Sequence, residues 1–157
     1  MQFSELSNRV IGCAIEVHRE LGPGLLESTY EQCLAHELSL NGISFRTQFP
    51  LPVEYKSIRL DCGYRLDVLV ENEIILELKS VEELKGIHEA QLLTYMKLAR
   101  IKQGFLINFN VRRLKGGPKK VLFLTLHALH ELHGVKNKMK KCCEPYKSTK
   151  DTKNGIQ

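Results

Sequence analysis

Between Tyr64 and Ser80 two runs of alternating character flank Glu71-Asn72-Glu73, and this segment constrains the fold most. Alternation with period two is the mark of a strand, and a short polar break between two such runs predicts a β-hairpin. If Glu71-Asn72-Glu73 is a three-residue loop, Val70 faces Ile74 and the numbers of opposed residues sum to 144. Leu66, Val68 and Val70 then oppose Leu78, Leu76 and Ile74, forming an all-apolar face for a core. On the other face Leu69 opposes Ile75, Asp67 opposes Glu77 and Arg65 opposes Lys79. A two-residue loop would move Asp67 to the face opposite Glu77, because side chains alternate strictly.

The rest of the chain supplies layers for this hairpin. Phe3, Leu6, Val10, Ala14, Val17 and Leu21 recur every three or four residues, predicting an amphipathic helix that Gly22-Pro23-Gly24 stops. A second helix is expected from about Leu26 to Leu40, with Leu26, Tyr30, Cys33, Leu34 and Leu38 on one side. From Ile43 to Leu60 the chain reads as short strands, with edge character at Pro50 and Pro52. Glu89 to Ala99 returns to helical spacing through Leu92, Tyr95, Met96 and Ala99. Gly104 to Asn110 suits a buried strand, Lys115-Gly116-Gly117-Pro118 a turn, Lys120 to Leu126 a last strand, and the region of Leu129 a short helix. The order α-α-β-β-β-β-α-β-β predicts an α/β sandwich, a mixed sheet with helices packed on it.

Charge is less informative than its total suggests. The net charge is +5, but seven lysines against Glu144 and Asp151 lie between Gly134 and Gln157. Removing them from 23 basic and 18 acidic residues leaves 16 of each in residues 1–133. We therefore expect a neutral domain over 1–133 and a basic, disordered tail over 134–157 that adds non-specific affinity for phosphate backbones or serves only solubility. Five cysteines without regular spacing argue against a disulfide framework. With no apolar run long enough for a membrane span and no secretory signal, a cytoplasmic protein is expected. His127, His130 and His133 lack the partners of a zinc motif and read as a helical surface. Cys142-Cys143 in the basic tail is a weak lipidation signal.

Asp67 and Glu77 opposed across the hairpin should repel one another. A hard divalent cation between them relieves this, since Mg²⁺ takes a few carboxylates together with water and phosphate. Lys79, two residues along on the same face, is placed to hold a water or to stabilise developing negative charge. Taken alone, the hairpin reads first as a solvated face of diagonal ion pairs.

Three motifs change that balance. Asp67, followed after nine residues by Glu77-Leu78-Lys79, resembles the D…(D/E)xK signature of the PD-(D/E)XK nuclease superfamily. Gly24-Leu25-Leu26-Glu27-Ser28-Thr29-Tyr30 resembles the GxxExxY motif of one of its families, and Gln91-Leu92-Leu93-Thr94-Tyr95 resembles the QxxxY element of its recombination-nuclease-like branch. The resemblance runs from roughly Phe3 to Leu124, with Leu66 where the superfamily name places proline. It implies a restriction-endonuclease-like core, a mixed β-sheet flanked by helices. It also implies a Mg²⁺ or Mn²⁺ site formed by Asp67, Glu77 and the Leu78 carbonyl, with Glu27 joining directly or through water. Lys79 would position or activate the attacking water, and Gln91 and Tyr95 would face the same site. The expected activity is hydrolysis of nucleic acid, with DNA first and RNA second. The alternative is a catalytically silent module of the same fold that binds nucleic acid or a protein. On blander readings Glu27 stabilises its helix start, Tyr95 is core, Gln91 is surface, and Arg65 pairs with Asp67 or meets a phosphate.

Overall fold

A computed structural model describes residues 4–61 and 63–114 in full and the backbone of 121–125. The expected turn at Lys115, the helix near Leu129, the three histidines, Cys142-Cys143 and the basic tail lie outside the described residues.

Helix α1 spans Glu5–Leu21, opened by Ser4, whose hydroxyl accepts from the Ser7 amide at 3.1 Å. Such a cap satisfies an amide that has no partner inside the helix. The helix stops at Gly22, where φ is +68° and the amide closes onto the His18 carbonyl at 2.8 Å. Helix α2 spans Glu27–Leu40 and buries Tyr30, Leu34 and Leu38. Leu26, expected on that buried side, is instead the extended residue before the helix and is 74% exposed.

Strands β1 (Phe45–Pro50), β4 (Arg65–Val70), β5 (Ile74–Lys79), β6 (Gln103–Asn108) and β7 (Val121–Thr125) form one sheet in the order β1-β4-β5-β6-β7. β5 and β6 run parallel across helix α3 (Gly86–Ala99), and the other neighbours are antiparallel. β2 (Val53–Tyr55) and β3 (Ile58–Leu60) form a separate small hairpin. Five strands therefore precede α3 where the sequence suggests four, because Pro52 and the Lys56-Ser57 turn divide Ile43–Leu60 into three pieces. The proline-bearing β1 is an edge strand, as proline's missing donor favours.

The hairpin register is the expected one: Val70 pairs with Ile74, Leu69 with Ile75 and Val68 with Leu76. Glu71 and Asn72 turn the chain at φ +50° and +57°. The loop is tied to β1 by Glu71, whose amide donates to the Ser44 carbonyl and whose carboxylate accepts from the Ser44 amide.

Apolar cores lie on both sides of the sheet. Val10, Val17, Tyr30 and Leu34 pack with Val68, Val70, Ile74, Leu76 and Phe105 beneath α1 and α2. Leu92, Tyr95 and Met96 of α3 pack with Leu69, Ile75 and Leu106 on the opposite side. β5 is thus central and covered on both faces, as its run of buried Ile74, Ile75, Leu76 and Leu78 requires. Each such side chain contributes about 2 kcal/mol on burial. α3 approaches β6 closely over Gly104, where an added Cβ would lie 2.8 Å from Met96 Sδ and 3.0 Å from Leu92 Cδ1. Among the described residues no helix is long and apolar enough to cross a membrane.

Leu66 departs from the expected face. It packs in the α3 cluster, not with Val68 and Val70. The β4–β5 pairing ends at Val68–Leu76, and Leu66 lies beyond it, paired only with Phe49 of β1.

Candidate active site

The same interruption builds the site. β1 pairs Thr47 with Val68 and Phe49 with Leu66, which leaves Gln48 opposite Asp67. Gln48 has φ +49°, a left-handed conformation uncommon outside glycine and asparagine. Asp67 therefore sits where the strands on both sides lose regular pairing with β4. Its carboxylate fills the gap towards β5: Oδ2 accepts the Leu78 amide at 2.8 Å. Asp67–Glu77 and Arg65–Lys79 are consequently not ladder pairs, contrary to the sequence expectation. Arg65 is exposed and forms no ion pair with Asp67. In a strand a residue's amide and carbonyl point the same way, so the Leu78 carbonyl also faces this gap. The next carbonyl, that of Lys79, accepts from Phe109 on the β6 side.

β5 carries Glu77 into the interior, where it is 2% exposed. One oxygen, Oε1, accepts from Lys79 Nζ at 2.7 Å. The other, Oε2, is buried with no hydrogen-bond partner. Burial, then repulsion from Asp67, raises the Glu77 pKa to about 7, more than the Lys79 contact can offset. Burial also raises the Asp67 pKa, against the Leu78 amide and the Lys79 charge. For Lys79 the effect of burial is outweighed by the Glu77 hydrogen bond and by the charges of Glu77, Glu27 and Asp67. Its pKa is raised and it stays an ammonium.

Glu27 begins α2, and its presentation is built by the residues around it. Gly24 turns at φ +102°. Tyr30, fully buried and stacked on Phe109 at 4.4 Å, donates its hydroxyl to the Gly22 carbonyl at 2.6 Å and accepts the Leu25 amide at 3.2 Å. The Tyr30 clamp fixes the turn from which Glu27 projects. Glu27 Oε1 then accepts the Ser80 amide at 2.9 Å, and Ser80 Oγ donates to the Leu25 carbonyl at 2.7 Å. α2 is thereby stitched to the end of β5.

Glu27, Ser28, Glu31, Gln48, Asp67 and Leu78 line one cleft of about 430 Å³. Glu27 was expected to join Asp67 and Glu77 directly or through water. Among the described residues no group of three or more histidine, cysteine or acidic side chains is placed to hold a metal ion. Glu27 Oε1 is engaged by the Ser80 amide, and its charge still acts on Asp67 and Glu77. What remains is a set of hard oxygens, Asp67, Glu77 and the Leu78 carbonyl. An orphaned carboxylate oxygen among them suits a hard divalent cation that keeps water and phosphate in its other positions.

On α3, Gln91 Nε2 donates to Tyr95 Oη at 2.9 Å, so the two share a helical face as their spacing predicts. Tyr95 is buried among Leu92 and Met96, and its ring is tilted 55° to that of Tyr64, with ring centres 6.3 Å apart. No hydrogen bond joins Gln91 or Tyr95 to the carboxylates.

Sequence reasoning missed four participants. Glu31 lies one turn beyond Glu27, a spacing that signals a shared face; it accepts from Gln48 at 2.5 Å, and burial raises its pKa. Gln48 carries no sequence signal. Ser80 acts largely through its backbone. Asn108, 3% exposed, brackets Val81 by donating to its carbonyl at 2.8 Å and accepting its amide at 3.2 Å. It also accepts the Asn110 amide at 3.1 Å, and so anchors the chain leaving Lys79.

A family model of the PD-(D/E)XK nuclease superfamily matches residues 4–121. The chain belongs to this superfamily. The match takes in both helices of the Glu27 turn, the Asp67 hairpin, and α3. The mixed sheet with helices on both faces is the restriction-endonuclease-like core that membership implies. No curated protein and no solved structure matches the chain.

Proposed function

We propose that this protein is an active metal-dependent nuclease, acting on DNA before RNA, of the GxxExxY branch of its superfamily. The observation that carries the proposal is the buried, unpartnered Oε2 of Glu77 beside Asp67. An uncompensated buried carboxylate destabilises a fold, and a divalent cation is the ordinary compensation.

Asp67, Glu77 and the Leu78 carbonyl would hold Mg²⁺ or Mn²⁺, with Glu27 acting from the rim through water. Such an ion lowers the pKa of water and neutralises charge on a phosphoryl group. Lys79 serves as a positioning and electrostatic residue. Its raised pKa keeps it protonated, so it donates to water or to a phosphate oxygen and does not remove a proton. Gln91 donates to the Tyr95 hydroxyl, so the tyrosine proton is left to donate elsewhere. The free thiols Cys13 and Cys33 support a reducing, cytoplasmic setting.

The test is cleavage of plasmid, linear duplex and single-stranded DNA, and of RNA, with Mg²⁺, Mn²⁺ or EDTA. Wild type should cleave only with metal, and Asp67→Asn and Lys79→Ala should each lose at least about a hundredfold in rate. Equal activity in wild type and both variants would refute the site. One observation favours a silent binding module instead: Lys79 already neutralises half of the Glu77 carboxylate. Binding of nucleic acid without metal-dependent cleavage would decide for that alternative.

A further inference from the structure

A second groove of about 990 Å³, more than twice the cleft at Asp67, runs along the α3 side of the sheet. One wall is the small β2–β3 hairpin, the other is the end of α3, and Phe49 and Leu69 contribute to its lining. In the hairpin, Glu54 is paired with Arg59, and both line the groove. Alternation therefore puts Val53, Tyr55, Ile58 and Leu60 on the other face.

The groove brings exposed cations together from three elements: Arg46 from β1, Arg59 from the small hairpin, and Lys97 and Arg100 from the end of α3. Glu54 and Asp61 also line it, yet among the described residues none of the four cations lies in a salt bridge. Arg46 rests over the Phe49 ring at 4.2 Å and bonds to the neutral amide of Asn72. Arg100 ends α3 in the left-handed conformation at φ +57°, a position where glycine is the favoured residue. The negative end of a helix favours nearby cations, which accounts for Lys97 and Arg100 on stability alone. It does not account for Arg59 and Arg46, which line the same groove from other elements. In a domain whose charges otherwise balance, this concentration of unpaired cations is local.

Leu69 places the groove relative to the cleft. It follows Asp67 by two residues on β4, about 7 Å along the strand. The cleft is lined from α2 and the groove from the end of α3, so a strand passing from one to the other crosses from one side of the sheet to the other.

We propose that this groove holds the phosphate backbone of the nucleic acid outside the cleft, away from the bond being cut. The inference rests on the nuclease reading for its direction but is testable without cleavage. Cations spaced along a groove position the backbone without reading sequence. Arg59 and Lys97, one from each wall, are the contacts that set affinity.

The experiment uses the full chain in EDTA, measuring by anisotropy the binding of a labelled 20-nucleotide strand and the corresponding duplex over a salt series. The variant Arg59→Gln/Lys97→Gln is compared with Arg9→Gln/Arg19→Gln, which removes the same charge from α1 on the opposite side of the sheet. The basic tail is present throughout, so only differences count. The groove variant should bind at least about tenfold more weakly near 0.1 M salt. Its slope of log affinity against log salt should fall by about 1.4 on the single strand or 1.8 on the duplex. The control should change little. An unchanged groove variant, an equal loss in the control, or no binding by wild type overturns the proposal. Failure of the nuclease reading shows separately, as absence of metal-dependent cleavage by wild type while the binding contrast persists.

Discussion

Replacing Glu77 by glutamine should stabilise the metal-free protein at alkaline pH, although it removes half of an ion pair. The folded-state pKa of Glu77 is about 7, against 4.5 as its ordinary value. Between these values the folded protein keeps a proton that the unfolded chain has released. Stability from this group is therefore full below about pH 4.5 and is lost as pH rises through about 7. The difference corresponds to about 3 kcal/mol at pH 8, near 10 °C in melting temperature for a domain of this size. Asp67 and Glu31 are shifted in the same direction and tilt the wild-type profile further. Lys79 keeps its charge across this range and adds no slope. Glutamine mimics the protonated acid, and its oxygen still accepts from Lys79. In EDTA, thermal or urea unfolding should show wild type losing about 3 kcal/mol more than Glu77→Gln between pH 5 and pH 8, with the variant more stable at pH 8. Adding Mg²⁺ at pH 8 should raise the wild-type melting temperature and leave Glu77→Gln nearly unmoved. Parallel pH profiles, or a variant less stable at pH 8, would show that the buried carboxylate carries no such cost.

Tyr30→Phe removes the hydroxyl that serves both the Gly22 carbonyl and the Leu25 amide, and should cost about 1–3 kcal/mol in chemical denaturation. By loosening the Glu27 turn it should also lower the cleavage rate while leaving oligonucleotide affinity in EDTA unchanged. Gly104→Ala forces Met96 and Leu92 to shift, and should cost about 1–3 kcal/mol with the fold retained by circular dichroism. Asn108→Ala leaves the Val81 amide and carbonyl and the Asn110 amide without their partner. It should cost about 3 kcal/mol in urea unfolding, from roughly 1 kcal/mol per lost bond.

The parts of this structure readable from sequence are those governed by period. The hairpin register followed from a three-residue loop and alternation, and the helical stripes of α1 and α3 followed from spacing. Glu27, Asp67, Glu77 and Lys79 were singled out by motif, and the charges of these groups contribute to the shifted pKa values of Asp67, Glu77 and Lys79. What escaped was irregular or carried by backbone. Gln48 adopts a left-handed φ that its side chain gives no reason to expect. The Leu78 and Ser80 amides are donors that every residue but proline possesses. Leu66 joins the α3 cluster beyond the last β4–β5 pair, a break in pairing that the alternating sequence does not announce. The β2–β3 hairpin was merged into its neighbours because strands of three residues are too short to display a period.

The interrupted pairing beside Asp67 divides the sheet mechanically. From the 71–73 loop to Val68–Leu76, β4 and β5 form a plate held by main-chain bonds. Beyond it they form a fork, and the Asp67 carboxylate bonded to the Leu78 amide spans the tines. Parting the tines turns one side chain and breaks no ladder bond, so the site end can change width while the plate stays closed. Whatever draws on the Asp67 oxygens competes with that amide, which makes occupancy of the cleft and the spread of the fork a single variable.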